Sequence, residues 1–406
     1  MDAEAQAALR RAGLDVRTIQ RDKSDTFRFF KAGAAAPFMC LHDPPLFKRL
    51  GWHGEADLET NRTALVDGLL ACVGEAGGDC RFDTKIAGLR ATAAGAVELL
   101  AEGDEVLGEF DVVVDATGTH SPLRRYRFAS RPRYTGVTWI QGVVDSPEAS
   151  LSPEIVRQLG QGTLGVCGPT VDGAGTTMLS LQRFGADPED KRAVCILRCS
   201  SRSVDTTTDP RAMAKALDLP PGAHGLLTDP ALLAKVRALF RAELAHPDWP
   251  EDHRSVADSF CGFRVLPIFM MPGAAGAEPV PEDGLALLNI GDALHALPPW
   301  SGTSGNFALR DASDAATALL ELARAGGPRD AAAVVATLRR LEGDFLRRAD
   351  GVAKGGLEVR TRCERVAKAM TELWPRTPIA AFDPSTFFTG GRRWSTSASP
   401  WCRGKW

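Results

Sequence analysis

The segment from residue 284 to residue 311 contains the side chains best suited to bind a ligand. The apolar run over residues 285–290 predicts a strand, and Asp292 follows near its end. A carboxylate there can accept hydrogen bonds from the hydroxyls of a sugar alcohol. Gly302 and Gly305 let a ligand approach the backbone because they carry no Cβ. The helix expected next offers free N–H groups to an anion. This order predicts a site for a cofactor with hydroxyls and negative charge.

The same segment resembles the second FAD motif of the class A flavoprotein monooxygenases, the para-hydroxybenzoate hydroxylase type that includes the tetracycline-inactivating enzymes. The family pattern is Gly-Asp-Ala-x-His-x-x-Pro-Pro-x-x-Gly-x-Gly-x-Asn, and this chain departs only in the spacing of the last glycines. The resemblance implies that His295 shapes the loop and that the helix start stabilises anionic flavin. It also implies FAD contacts from five residues: Asp292, Pro298, Gly302, Gly305 and Asn306.

The first twenty residues predict a helix that stops at Gly13 and a strand over residues 14–19. In the family, a strand and Gly-x-Gly-x-x-Gly precede this helix and seat the FAD pyrophosphate on its N-terminus. Residues 1–20 contain no such motif. Gln20 stands where the family has an acidic residue, and it can still hydrogen-bond a ribose hydroxyl. The sequence is therefore either a shortened version of a longer chain, which the remaining motifs favour, or a degenerate paralogue with weakened FAD binding.

Two further stretches resemble the family more loosely. Residues 59–70 predict an amphipathic helix whose leucines face the core, and the resemblance implies that Arg62 reaches the cofactor. Residues 110–118 predict a buried strand that ends in Thr117 and Gly118, where the resemblance implies another FAD contact. The family has Asp in place of Thr117, and that Asp also aids NADPH binding, so we expect an altered NADPH step.

Five arginines follow this turn within ten residues. They predict either a patch that attracts the phosphates of NADPH or an ordinary solvated basic surface. The five are Arg124, Arg125, Arg127, Arg131 and Arg133.

The order of elements predicts an α/β protein. The resemblance implies a Rossmann-like FAD-binding domain with an inserted, mostly antiparallel β-sheet substrate domain. Alternating strands between residues 131 and 263, and a helix capped by Asp229 and Pro230, support the insertion. A long C-terminal helix with a break at Gly355-Gly356 is also expected. The predicted ranges are residues 1–130 and 263–328 for the FAD-binding domain, 131–262 for the substrate-binding domain, 329–374 for the C-terminal helix and 375–406 for an irregular tail.

Composition limits the kinds of partner. The net charge of −3 argues against nucleic acid and acidic membrane surfaces. No apolar run approaches the roughly 20 residues of a transmembrane helix, and the N-terminus lacks the features of a signal peptide. The 9 cysteines show no metal-ligand spacing and suggest reduced thiols. We therefore expect a cytoplasmic protein without a metal site or an integral membrane segment.

The resemblance implies an FAD-dependent monooxygenase that uses NAD(P)H and O2 to hydroxylate an aromatic or polyketide-like small molecule. No nucleophile–base pair is discernible, so the flavin rather than a catalytic side chain would do the chemistry. The apolar, aromatic residues 263–271 suit a flat organic substrate. A flavin halogenase is disfavoured because Trp-x-Trp-x-Ile is absent. Two alternatives stay open: a flavin-dependent reductase acting on prenyl lipids, and a non-catalytic remnant that holds no FAD.

Overall fold

The computed structural model of the protein describes residues 1–19, 27–37, 39–41, 60, 62–92, 95–160, 162–173, 176–184, 192–199, 208–220, 223, 225–271, 279–280, 284–299, 302–325 and 330–373. The helices among them are α1 (Ala3–Arg11), α2 (Arg62–Glu75), α3 (Pro147–Ser150), α4 (Pro153–Leu159), α5 (Ala212–Ala216), α6 (Pro230–Glu243), α7 (Glu251–Arg254), α8 (Asp292–His295), α9 (Ser304–Arg324) and α10 (Ala331–Leu373). The strands are β1 (Phe27–Lys31), β2 (Met39–Leu41), β3 (Ile86–Ala91), β4 (Val97–Ala101), β5 (Val106–Phe110), β6 (Val113–Asp115), β7 (Arg133–Val144), β8 (Thr163–Pro169), β9 (Thr176–Phe184), β10 (Arg192–Cys199), β11 (Phe260–Met270) and β12 (Leu287–Asn289). The chain divides into two compact units.

The first unit comprises Met1–Ile19, Arg62–Thr135 and Ile268–Glu358. It contains the parallel pair β6–β12 and the antiparallel meander β3–β4–β5. The apolar run that forms β6 and the leucines of β12 pack against α10 in one core. Within the strand predicted over residues 110–118, the structure forms β6 at Val113–Asp115. The parallel pair matters most for the site, because both of its strands end at the same edge of the sheet.

The strand predicted over residues 14–19 is wrong. Val16–Thr18 forms a single 3-10 turn instead. The carboxylate of Asp15 accepts a hydrogen bond from the Arg17 amide at 3.0 Å and from its guanidinium at 2.7 Å. A strand is stabilised by a neighbouring strand, whereas this turn has local side-chain hydrogen bonds to its backbone. These bonds from Arg17 lower the pKa of Asp15 to about 2.

The helix predicted over residues 59–70 is confirmed as α2, but the predicted burial of its leucines is not. Leu65, Leu69 and Leu70 are half-buried, and no residue of α2, which the structure describes completely, is fully buried. Val66 and Val73 are exposed. The reason is that apolar residues occur all around this helix, so its sequence does not define a single face.

The second unit contains a seven-stranded sheet in the order β11-β7-β10-β9-β8-β1-β2. The pairs β7–β10, β10–β9, β9–β8 and β1–β2 run antiparallel, and β1–β8 runs parallel. The predicted mostly antiparallel sheet is therefore confirmed, and β1 and β2 also belong to it. Helix α6 begins as expected, because the Asp229 carboxylate accepts from the amides of Ala231 and Leu232, both at 2.9 Å. Its apolar side chains join the core with Ile140, Leu164 and Leu181.

The long C-terminal helix is confirmed as α10, but the predicted break is wrong. The helix continues through Gly355 and Gly356 to Leu373. A glycine costs a helix only about 1 kcal/mol relative to alanine, and two of them do not interrupt a helix of this length. Val334, Leu338 and Phe345 of this helix are buried. The tail predicted over residues 375–406 lies outside the described residues.

Candidate cofactor site

The turn after β6 is built around the buried carboxylate of Asp115. One oxygen accepts from the amide of Thr117 at 3.0 Å and from its hydroxyl at 2.6 Å. The other accepts from Ser121 Oγ and Asn289 Nδ2, each at 2.5 Å. Gly118 then adopts a left-handed φ of +85°, which a side chain rarely tolerates. Thr117 is exposed, but its hydroxyl donates inward to Asp115.

Arg124 joins this turn to the segment after β12. Its Nε donates to the carbonyl oxygen of Ala293 at 2.6 Å, and its terminal nitrogens donate to the carbonyl oxygens of Asp292 at 2.7 Å, Thr119 at 2.8 Å and Gly118 at 3.3 Å. Burial lowers the pKa of Arg124, and the negative charges of Asp115 and Asp292 oppose that shift. One buried guanidinium therefore holds both predicted cofactor turns together.

The solvated basic surface, one of the two interpretations of the arginine cluster, is wrong for two of its five members. Arg124 is buried as described, and Arg127 forms a buried ion pair with Glu342 of α10 at 2.7 Å. Both side chains of that pair are 3 % exposed. A buried guanidinium is found where carbonyls or a carboxylate satisfy it, and here they come from distant parts of the chain. The other three are exposed: Arg125, Arg131 and Arg133.

Asp292 begins α8 and carries an unsatisfied carboxylate oxygen. Its Oδ1 is buried and has no hydrogen-bond partner among the described residues. Burial raises the pKa of Asp292, while the charge of His295, the amide of Leu297, the hydroxyl of Thr119 and the charge of Arg124 lower it. A buried acceptor without a donor is costly, so this oxygen suits a hydroxyl donor from a ligand.

His295 shapes this segment through Asp311 of α9. His295 Nε2 lies 2.6 Å from Asp311 Oδ2, and the same oxygen accepts from the Gly291 amide at 3.0 Å. Gly291 has a φ of +54°, and a Cβ on it would lie 2.9 Å from the Cβ of Ala308. The backbone before Asp292 is therefore tightly restricted.

The start of α9 leaves open space beside two glycines. Gly302 has a φ of +67°, and a Cβ on it or on Gly305 would meet no atom within 4 Å. Asn306 Oδ1 lies 3.4 Å from the amide of Asp2, which caps α1. The N-termini of α1 and α9 therefore lie together, and Pro298 is buried ahead of them. The N-terminus of α9 favours a negatively charged ligand, whereas the Asp2 carboxylate already caps α1 by accepting from the Ala5 amide.

Three solved structures are similar to this chain over most of its length. HpxO of Klebsiella pneumoniae, complexed with FAD and uric acid, has a TM-score of 0.62 at 15% identity, with 95% of this chain and 84% of that chain covered. CtdE in complex with FAD and a substrate has a TM-score of 0.62 at 16% identity, with 89% of this chain and 79% of that chain covered. The 2,6-dihydroxypyridine-3-hydroxylase of Arthrobacter nicotinovorans has a TM-score of 0.60 at 16% identity, with 94% of this chain and 85% of that chain covered.

The chain has the fold of the class A FAD-dependent monooxygenases. The predicted fold class is thereby confirmed. By sequence alone, no family model and no curated protein matches the chain.

The residues around Asp292 and the start of α9 have side chains and open space that suit FAD. The unpaired oxygen of Asp292 suits a hydroxyl of the ribityl chain, and the space beside Gly302 and Gly305 admits a ligand close to the backbone. The N-terminus of α9 suits negative charge. Against this, the carboxylates of Asp2 and Glu4 lie near the start of α1, where Arg310 pairs with them at 2.7 and 2.8 Å. The residues around Asp292 and the start of α9 therefore fit FAD, and the acidic side chains of Asp2 and Glu4 lie at the edge of the site.

The remaining predicted contacts are less well placed by the described residues. Arg62 is exposed at the start of α2, and its side chain makes no hydrogen bond or ion pair within the described part of the chain. Gln20 lies outside the described residues. Sequence reasoning missed the roles of Asp115 and Asp311 as hydrogen-bond acceptors within the site. An acidic residue closing an apolar strand was a usable signal for Asp115, whereas nothing local identifies Asp311.

Among the described residues, no helix is long and apolar enough to cross a membrane. The same residues contain no group of three or more His, Cys, Asp or Glu side chains that could hold a metal ion. Cys72, Cys80, Cys167 and Cys261 are free thiols.

Proposed function

We propose that the protein is an FAD-dependent monooxygenase that uses NAD(P)H and O2 to hydroxylate a planar aromatic or polyketide-like small molecule, in the cytoplasm. The observation that carries the proposal is the buried, unpaired Oδ1 of Asp292 at the end of a parallel strand pair. It lies in a fold whose neighbours are crystallised with FAD. The first compact unit would be the FAD-binding domain, and the second would bind substrate.

The chain's own residues would bind and orient the cofactor. Asp292 would accept hydrogen bonds from ribityl hydroxyls, and Arg124 would keep its backbone in place. The N-terminus of α9 would stabilise negative charge on the cofactor, with Gly302, Gly305 and Asn306 admitting it to the backbone. When bound, FAD supplies the redox chemistry of oxygen transfer. Further contacts are proposed from Gln20, Arg62, Thr117, Gly118 and Pro298.

The substrate class rests on the neighbours and on residues 263–271. One neighbour holds uric acid, and another is named as a hydroxylase of a dihydroxypyridine. Both molecules are flat rings with polar substituents. In this chain Phe269 is half-buried and contacts His120 at 5.3 Å and Tyr134 at 5.6 Å between ring centroids. Such half-exposed aromatic rings support a planar organic substrate.

A second candidate is a protein of the same fold that holds no FAD. The acidic side chains of Asp2 and Glu4 near the start of α1 favour it, because they would repel a pyrophosphate at that helix end. Thr117 also favours a protein that holds no FAD, because the family has aspartate at this position. A flavin-dependent reductase acting on prenyl lipids would share the FAD site and differ only in substrate.

FAD binding decides between these candidates. Purified protein would be titrated with FAD by isothermal calorimetry, and the visible spectrum of the complex recorded. We expect stoichiometric binding that Asp292→Ala weakens by about ten- to a hundredfold, since a hydrogen bond to a charged group contributes about 1.5–3 kcal/mol. Asp111→Ala is the matched control, because Asp111 is exposed and follows β5. Absence of binding at high FAD concentration would exclude the monooxygenase and the reductase together.

A further inference from the structure

Asp311 is fully buried in the second turn of α9 and uses a single oxygen for two contacts. Its Oδ2 lies 3.0 Å from the amide nitrogen of Gly291 and 2.6 Å from Nε2 of His295. Its Oδ1 has no hydrogen bond in the described structure, and Arg348 of α10 lies 3.7 Å from it. A buried carboxylate is costly unless it is paired and hydrogen-bonded, so these contacts define what Asp311 does.

Both contacts lead to Asp292. Gly291 is its chain neighbour, and the Gly291 amide sets the direction of the backbone entering α8. His295 is three residues further along the same helical turn, so it and Asp292 lie on one face. The imidazole is buried, with its ring edge against Phe307 at 6.1 Å between centroids. Phe307 therefore packs beside the imidazole that contacts Asp311.

The hydrogen bond to Asp311 also determines the proton position on His295. A carboxylate accepts a hydrogen bond, so Nε2 is the ring nitrogen of His295 that donates to Asp311. The charge of His295 is in turn the largest influence that lowers the pKa of Asp292 against its burial. The imidazole of His295 therefore interacts with both carboxylates, with Asp311 by a hydrogen bond and with Asp292 by its charge.

We infer that Asp311 is a positioning residue for the Asp292 carboxylate, acting through the Gly291 amide and the His295 ring so that Asp292 offers a charged oxygen to a hydroxyl of the cofactor. The inference rests on the proposed FAD site. It concerns how that site is prepared rather than what it catalyses.

Three variants separate charge from packing. Asp311→Asn keeps an oxygen that can accept from Gly291 and His295 but removes the negative charge. His295→Gln removes the imidazole that links Asp311 to Asp292. Asp314→Asn is the matched control, because Asp314 lies on the same helix and pairs with the same Arg348, without contacting Gly291 or His295.

FAD affinity would be measured for each variant from about pH 5 to about pH 9. We expect Asp311→Asn to bind FAD about tenfold more weakly at neutral pH, as for the loss of one charge-assisted contact. The charged groups that face Asp292 are His295 and Arg124, and Arg348 faces Asp311. Without the charge of Asp311, the His295 ring is held less firmly beside Asp292, and Asp292 takes up a proton more readily. FAD affinity should therefore begin to fall at a higher pH than in the wild type. Asp314→Asn should match the wild type in affinity and in this midpoint.

A second measurement does not need FAD. The pKa of Asp292 can be followed by carbon NMR of its carboxylate in the unliganded protein, and it should rise in Asp311→Asn and in His295→Gln. Unchanged values in both variants would overturn the inference, as would equal FAD affinity and pH midpoint in Asp311→Asn and Asp314→Asn. If the wild type binds no FAD but the NMR shift is found, the proposed function fails and the role of Asp311 stands.

Discussion

The guanidinium of Arg124 donates a hydrogen bond of 2.7 Å to the backbone carbonyl oxygen of Asp292. The two residues follow different strands of one parallel pair, and Arg124 also binds the turn after β6 through Gly118 and Thr119. The carbonyls of both turns are thus directed toward a single cation rather than toward solvent. This leaves the Asp292 side chain as the part of the turn available to a ligand.

Arg124→Lys should destabilise the protein by about 3 kcal/mol, since an ammonium cannot reach all four carbonyl oxygens and each unsatisfied buried acceptor costs about 1–3 kcal/mol. Urea unfolding followed by tryptophan fluorescence measures this. Arg131→Lys, at an exposed position of the same cluster, should stay within about 0.5 kcal/mol of the wild type. Equal stabilities of the two variants would contradict the bridging role of Arg124.

Asp115→Asn tests whether the turn after β6 depends on a carboxylate. The four donors around Asp115 come from Thr117, Ser121 and Asn289, and an amide would place its NH2 against some of them. We expect a loss of about 2–4 kcal/mol in the free energy of unfolding. Asp111→Asn, at an exposed position before β6, should leave it unchanged. A stability loss in both variants would point to a general effect of charge on this segment instead.

The elements of this fold follow from local patterns, whereas the site depends on contacts between distant segments. The cap of α6 was predictable because Asp229 and Pro230 act within one turn. The glycines, proline and aspartate of residues 291–306 were predictable because their spacing is local. Two of the four partners of Arg124, Asp292 and Ala293, are far from it in sequence. Asp311 contacts His295 only because α9 packs against α8. Residues 14–19 failed as a strand for the same reason, since only a pairing strand could have selected that structure over the turn at Asp15.

Glu342→Gln should destabilise the protein more than removal of the whole ion pair. Arg127 and Glu342 are both buried, so neutralising one leaves the other charge uncompensated at a cost of about 3–5 kcal/mol. In the double variant Arg127→Met/Glu342→Leu we expect a smaller loss. Thermal unfolding of Arg127→Met, Glu342→Leu and the double variant, beside Glu342→Gln, provides the comparison. Additive losses would mean that the two side chains do not interact in the folded protein.

Stability of the second unit should fall in mild acid because of His253. Burial lowers the pKa of this histidine, and its Nε2 lies 3.1 Å from Gln158 Oε1 beside the Trp249 ring. The unfolded chain then binds a proton near pH 6.5, before the folded protein does. The stabilisation is complete above about pH 6.5 and is lost as the pH falls toward the lower pKa of the folded state.

Urea unfolding at a series of pH values, followed by tryptophan fluorescence, measures this acid sensitivity. His253→Gln should remove much of the slope below about pH 6.5. His246→Gln, on the same segment, should retain it. If His253→Gln keeps the full slope, other groups account for the acid sensitivity.

Gly305→Ala separates folding stability from cofactor binding, because the two should change in opposite directions. Gly305 lies in the first turn of α9, and a Cβ there would meet no atom of the protein within 4 Å. Alanine should therefore stabilise the helix by about 0.5–1 kcal/mol. The same methyl group would occupy the space proposed for the cofactor, so FAD should bind at least about tenfold more weakly. Gly351→Ala in α10, where a Cβ is equally free, should give the stability gain without the loss of affinity. Tighter or unchanged FAD binding in Gly305→Ala would place the cofactor away from the start of α9.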